Sequence, residues 1–224
     1  MYKFRYLVLI FLLLACPRIL NAQDNGLALR LRTGHNTSFG GFAAVSMEAV
    51  HDLDFNLRLS AGAQYNSIGK TSAEVRPEYQ FDVSWGKLSA ESLISYTHLT
   101  SVNSIAAGAG IGLYGKRVGG RLGYYYRLYG GRGGWIKEAF NIYYEIHAEI
   151  LPEIDRWDLQ MIITNCEMFE LERHFQPSFI LQGCCYPRTH LGISFGVGCK
   201  PAGIFNISAD YYQSYIKTGV CYRW

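Results

Sequence analysis

The chain has 224 residues with 49% hydrophobic and 17% charged side chains, 24 Gly and 17 Tyr. That length suffices for one large domain, and the mix is too apolar for disorder and too poor in helix formers for a bundle. Three cations, Lys3, Arg5 and Arg18, precede residue 23 without any acid; the remainder holds 21 − 3 = 18 bases against 18 acids, and a neutral body excludes a nucleic-acid partner.

The N-terminus has the layout of an export signal. Lys3 and Arg5 form a positive n-region and Tyr6 to Ala15 an apolar h-region too short for a comfortable spanning helix. Ala22 before Gln23 marks a cleavage point, so residues 1–22 are expected as signal peptide and 23–224 as the mature domain. Leu13-Leu14-Ala15-Cys16 resembles a lipoprotein box, but Pro17 and the later Ala22 site favour simple cleavage. Five cysteines then remain (Cys166, Cys184, Cys185, Cys199, Cys221), odd in number and without a CxxC, which argues against zinc and for buried small hydrophobes.

From Gly26 onward the chain alternates with a period of two, which puts successive side chains on opposite faces of a strand. Gly26–Thr33 sets Leu27, Leu29 and Leu31 against Arg30 and Arg32, and Phe39–Val50 sets Val45, Met47 and Ala49 against Ser46 and Glu48. Two longer arms follow. In one, Leu53 to Tyr65 alternate with Asp54 to Asn66; in the other, Val75, Pro77, Tyr79, Phe81, Val83 and Trp85 alternate with Glu74, Arg76, Glu78, Gln80, Asp82 and Ser84. Trp85-Gly86-Lys87 is a turn. Leu88–His98, a Gly-rich Asn103–Tyr114, and Val118–Tyr129 continue the series. Gly130–Lys137 reads as a loop, Phe140–Ile150 as a strand, Pro152–Arg156 as a turn. Trp157–Thr164, Phe169–Leu181, Leu191–Cys199 and Tyr212–Trp224 complete about twelve strands; one at Ile204–Tyr211 would make a thirteenth. Pro77 and Pro177 inside strands predict bulges or ladder gaps. An even count returns both termini to one end and sends the Gly130 and Pro201 loops to the other.

Alternation leaves open which face is inside. A soluble sandwich puts the apolar face in, and a transmembrane barrel puts it out. The last residues, Lys217-Thr218-Gly219-Val220-Cys221-Tyr222-Arg223-Trp224, decide between them. Lys217, Gly219, Tyr222 and Trp224 occupy the fixed places of a motif made of a polar residue, one residue, Gly, two residues, an aromatic, one residue and an aromatic. The chain thereby resembles bacterial outer-membrane β-barrel proteins, whose C-terminal assembly signal has that form. The resemblance implies a Gram-negative cell outer membrane, insertion by the barrel assembly machinery, and lipid around the closed antiparallel barrel. Tyr65, Trp85, Tyr96, Tyr124 and Tyr222 or Trp224 would form its aromatic girdles. Arg30, Arg58, Arg76, Glu78, Asp82, Arg121, Arg127, Glu145, Glu149, Glu170 and Glu172 would point into the lumen.

Few motifs suggest chemistry. Gly192-Ile193-Ser194-Phe195-Gly196 matches the nucleophile elbow but lies within a strand, where the required strand-to-helix turn is missing. Gly108-Ala109-Gly110-Ile111-Gly112 has no following helix for a dinucleotide. Glu145-Ile146-His147-Ala148-Glu149 and Glu170, Glu172, His174 put titratable groups on one face; a salt-bridge network with the arginines explains them better than a metal. No cofactor or metal is expected. His98, with Thr100, Ser101 and Asn103, is the one enzyme candidate, since outer-membrane phospholipases and lipid A deacylases carry a His–Ser site at that level. The deacylases' close His-x-Ser-Asn spacing is absent. The reading is a non-enzymatic, porin-like barrel, a narrow solute pore or an interaction barrel; the alternative is a lipid-modifying hydrolase using His98 and Ser101.

Overall fold

The computed structural model describes residues 25–37, 40–99, 102–131, 134–137, 141–150, 156–167, 170–171, 177–187, 190–201 and 213–223. The expected leader, Thr100, Ser101, Glu172, His174, the expected Ile204–Tyr211 strand and Trp224 lie outside them. The strands are β1 Gly26–Asn36, β2 Gly40–Leu53, β3 Leu57–Asn66, β4 Lys70–Val83, β5 Gly86–Leu99, β6 Val102–Tyr114 and β7 Val118–Gly131. They continue as β8, in two segments Gly134–Lys137 and Asn141–Glu149 that both pair with β7, then β9 Trp157–Thr164, β10 Ser178–Cys185, β11 Leu191–Lys200 and β12 Gln213–Arg223. Every strand pairs antiparallel with its sequence neighbours, and β1 closes on β12 from Gly26↔Arg223 to Asn36↔Gln213. The result is a closed twelve-stranded antiparallel barrel, all-β. Closure leaves no sheet edge with unpaired backbone groups. No helix of the described residues is long and apolar enough to cross a membrane.

The faces are inverted relative to a water-soluble protein. Leu29, Leu31, Val45, Ile94, Ile111, Ile193, Val197 and Ile216 are exposed on the outside. The residues between them are buried and polar: Arg32, Gln64, Glu74, Arg76, Glu78, Glu91, Ser194 and Lys200. A continuous apolar belt around a polar interior is unfavourable in water and favourable in lipid, where each closed ladder also satisfies its own backbone. Tyr65 and Tyr96 stand near the end remote from the termini, and Trp85 and Tyr222 at the terminal end; Tyr124 sits mid-strand in β7.

Several expected boundaries move. Gly130–Lys137 is no loop, because β7 runs to Gly131 and β8 resumes at Gly134 with φ 102, a turn conformation glycine adopts without a Cβ clash. The arm expected from Leu53 starts at Leu57, since Asp54–Asn56 form a turn in which Phe55 and Asn56 take φ of 66 and 60. The expected Phe169–Leu181 strand enters the barrel only at Ser178, and Glu170–Leu171 pair with Cys166–Glu167 in a separate small ladder. Pro177 therefore precedes its strand. Pro77 stays inside β4 and causes a gap rather than a bulge. Pairing with β5 is interrupted between Val75↔Ile94 and Glu78↔Glu91, and the register is the same on both sides.

The two ends differ. At the terminal end, connections such as 54–56, 84–85 and 115–117 are tight; at the far end, 165–177 and 202–212 are the long ones. Outer-membrane barrels have this asymmetry, with short periplasmic turns and longer outer loops.

Candidate functional site: the charged interior

The interior is built by the inward parity of each strand, and its charges sort by height. At mid-barrel, Arg30 pairs with Glu48 across the β1–β2 ladder. Arg76 Nη2 donates to Glu74 Oε1 at 2.6 Å, with both side chains only 4% exposed. Arg121 Nη2 lies 2.7 Å from Glu145 Oε2, and its Nη1 lies 3.5 Å from Glu91 Oε2. Tyr143 reaches from β8 over β7 and β6 to β5, where its hydroxyl donates to Glu91 Oε1 at 2.6 Å. Removing one partner of such a buried pair strands a charge and costs about 3–5 kcal/mol.

The long reach of Tyr143 needs a floor without side chains. A Cβ on Gly123 would lie 2.5 Å from the Tyr143 hydroxyl oxygen, and one on Gly110 would also strike that oxygen. Gly108 gives the same room to Tyr125, so the Gly108–Gly112 stretch is a platform for tyrosines and not a phosphate loop. Leu93, Ala106, Tyr125 and Tyr143 pack into one buried cluster there. The β5–β8 wall is thus filled, which narrows the space left inside.

Nearer the termini the interior is richer in acids. Arg58 Nε donates to Asp52 Oδ1 at 2.8 Å; Gln80 links Glu78 (3.1 Å) to Lys87 (3.2 Å). His147 stacks on Tyr114 with ring centroids 5.6 Å apart and lies 4.0 Å from Glu145. Toward the far end the described inward charges are mostly cations, Arg32, Lys70, Arg127, Lys200 and Lys217, with Glu74 at a similar level held by Arg76. Several stack on aromatics. Arg32 sits 5.5 Å from the Phe42 centroid and 4.9 Å from Tyr215, and Lys217 lies 5.2 Å above Tyr215. Arg127 lies 5.4 Å from the Tyr125 ring and bonds the Tyr129 hydroxyl at 2.8 Å. Such stacking holds a guanidinium at a fixed height.

Of the sequence-derived lumen residues, Arg30, Arg58, Arg76, Glu78, Asp82, Arg121, Arg127, Glu145, His147 and Glu149 share the inward parity of their strands. Glu170 does not belong to the barrel sheet; it pairs with Glu167 in the small ladder. Lys217 and Gly219 of the terminal motif face inward and Tyr222 outward. The sequence reading omitted Glu91, Tyr143 and Lys200 from the interior, although the parity of their strands carried the signal. Ser194 of the elbow-like motif points inward and is buried between outward Ile193 and Phe195, inside β11. Among the described residues no group of three or more His, Cys, Asp or Glu side chains could hold a metal ion.

His98 faces outward at the far end of β5. Its Nδ1 lies 2.7 Å from Asn103 Oδ1 on β6, and the Tyr96 hydroxyl donates to the same oxygen at 2.8 Å. Since a carboxamide oxygen only accepts, Nδ1 is the donor in this contact.

The chain matches no protein-family model and no curated protein. It does match solved structures. The KdgM porin, in complex with disordered oligogalacturonate, superposes with TM-score 0.52 at 13% identity, over 88% of this chain and 99% of that one. The NanC porin gives 0.53 at 10% identity, over 88% and 100%. The Salmonella typhi outer membrane phospholipase, a dimer with bound calcium, gives 0.53 at 7% identity, over 93% of each chain. The fold is therefore that of bacterial outer-membrane β-barrel proteins, porins included.

Proposed function

We propose that the protein is a narrow outer-membrane solute pore whose outer half attracts anions. One observation carries the reading: inward charges are stratified, with cations toward the long-loop end, a paired belt at mid-barrel, and acids with partners toward the termini. A cation-lined, low-dielectric mouth raises the local concentration of anionic solutes. Arg32 and Lys217 are held against Tyr215, which keeps both charges at a set height. The oligogalacturonate in complex with the KdgM porin is a polyanion, and that agrees. The filled β5–β8 wall makes the path narrow. Purified protein in planar bilayers is expected to show small unitary conductance and, under a salt gradient, a reversal potential favouring anions. Arg32→Glu with Lys217→Glu should move that potential toward cations. A folded barrel that never conducts would overturn the pore and leave a structural barrel.

A second reading has one observation behind it. Asn103 holds His98 through Nδ1 on the lipid-facing rim, where a lipid hydrolase needs a base. The pore ranks first because it uses charges on every side of the barrel, whereas the His98 cluster shares its acceptor with Tyr96 as a rim network does.

A further inference from the structure

Near the terminal end of the interior, two thiols meet over β11. Cys184 on β10 and Cys221 on β12 both point inward and are buried, with free sulfhydryls. They cluster with Ala28, and Tyr186 packs against them. The two thiols and the Tyr186 phenol are close enough to interact with one another. Gly192 of the intervening β11 makes the space, since a Cβ there would stand 2.8 Å from Cys221 Sγ and 2.7 Å from the Tyr186 ring. The Arg223 guanidinium lies 4.2 Å over the Tyr186 ring and holds it in place. Arg30, itself paired with Glu48, is close enough to interact electrostatically with both sulfurs.

A disulfide does not fit this geometry. β10 and β12 are separated by β11, with Cys184 opposite Ser194 and Cys221 opposite Gly192. Two strand spacings and an offset of two residues along β11 put their Cα atoms about 11–12 Å apart in a flat sheet, whereas a disulfide requires at most about 7 Å. Zinc does not fit either, because it needs four ligands and, among the described residues, two thiols and a phenol converge. What remains compatible is an ion satisfied by two thiolates. A thiolate–metal bond is about 2.3 Å, so a bridging ion holds its sulfurs about 4.6 Å apart, which suits two cysteines reaching over an intervening strand. Thiolate ligands select soft ions, Cu(I) first among them. Two thiolates on a monovalent ion leave one net negative charge, and Arg30 faces it.

We propose that Cys184 and Cys221, with Tyr186 beside them, form a two-thiolate binding site for Cu(I) inside the barrel. The site does not depend on the pore reading, and Cu(I) binding is measured separately from conductance. The folded full barrel in detergent is titrated anaerobically with Cu(I) against a colorimetric Cu(I) chelator. The expected result is one Cu(I) per chain withdrawn from the chelator, lost in Cys184→Ser and in Cys221→Ser, and retained in the outward-facing Cys185→Ser and Cys199→Ser. A measurement on the unaltered chain guards against variants that fail to fold. Bound Cu(I) should protect Cys184 and Cys221 from maleimide, read by peptide mass spectrometry, while leaving Cys185 and Cys199 labelled to the same extent. Failure of the wild-type barrel to compete for Cu(I), retention of binding in either inward variant, or protection of other cysteines instead would overturn the proposal.

Discussion

Replacing Gly123 by Ala tests whether the barrel interior is organised by the Tyr143–Glu91 bridge. The new methyl would sit 2.5 Å from the Tyr143 hydroxyl oxygen and 2.5 Å from the Ala109 carbonyl oxygen. Ordinary contact is more than 3 Å, so either the ring leaves or β6 and β7 separate. Overpacking of this kind costs about 1–3 kcal/mol. If the ring leaves, the bond to the Glu91 carboxylate goes too, a further loss of about 1.5–3 kcal/mol. The expected total is about 2.5–6 kcal/mol. Tyr143→Phe removes only the hydroxyl and should cost about 1.5–3 kcal/mol. Gly41→Ala is the control, because nothing lies within 4 Å of a Cβ there. The assay is urea unfolding of barrels folded into lipid vesicles, followed by tryptophan fluorescence. In a Tyr143→Ala background the Gly123→Ala penalty should shrink, and the double-mutant cycle isolates the ring's share. A Gly123→Ala barrel as stable as Gly41→Ala, or an undiminished penalty without the Tyr143 ring, would refute the glycine-floor argument.

Three further outcomes are expected. Ile111→Arg places a charge mid-strand on a side chain 58% exposed to the outside; unfolding in vesicles should show a loss of about 2–4 kcal/mol, and a neutral result would mean the apolar face is not in lipid. Deleting residues 222–224 should leave the chain degraded or aggregated, with no heat-modifiable outer-membrane species on fractionation; normal assembly would undo the terminal-motif reading. His98→Ala and Ser101→Ala should leave lipid A structure and phospholipid content unchanged by mass spectrometry of extracted lipids, and a His98-dependent loss of an acyl chain would put the hydrolase ahead of the pore.

What the sequence determined by itself was periodic. Alternation over Glu74–Val83 or Leu122–Leu128 assigns faces, because a strand has no other way to place neighbours. The strand number and the direction of the apolar face followed from repeated alternation and the last eight residues. Its errors fell where local signals conflict with pairing. Gly130–Gly134 looked like a loop because glycine favours turns, yet a ladder accepts glycine when its partners hold it. Glu170–Gln176 alternated as a strand should, but alternation does not say which chain a strand pairs with, and Glu170 pairs with Glu167 outside the barrel. The interior's contacts were decided only by closure. Tyr143 and Glu91 are 52 residues apart and meet because three strand-to-strand steps curve the wall and Gly110 and Gly123 leave it bare. Cys184 and Cys221 looked like scattered small hydrophobes for the same reason: a contact over an intervening strand depends on the register of two ladders, and no local pattern encodes it.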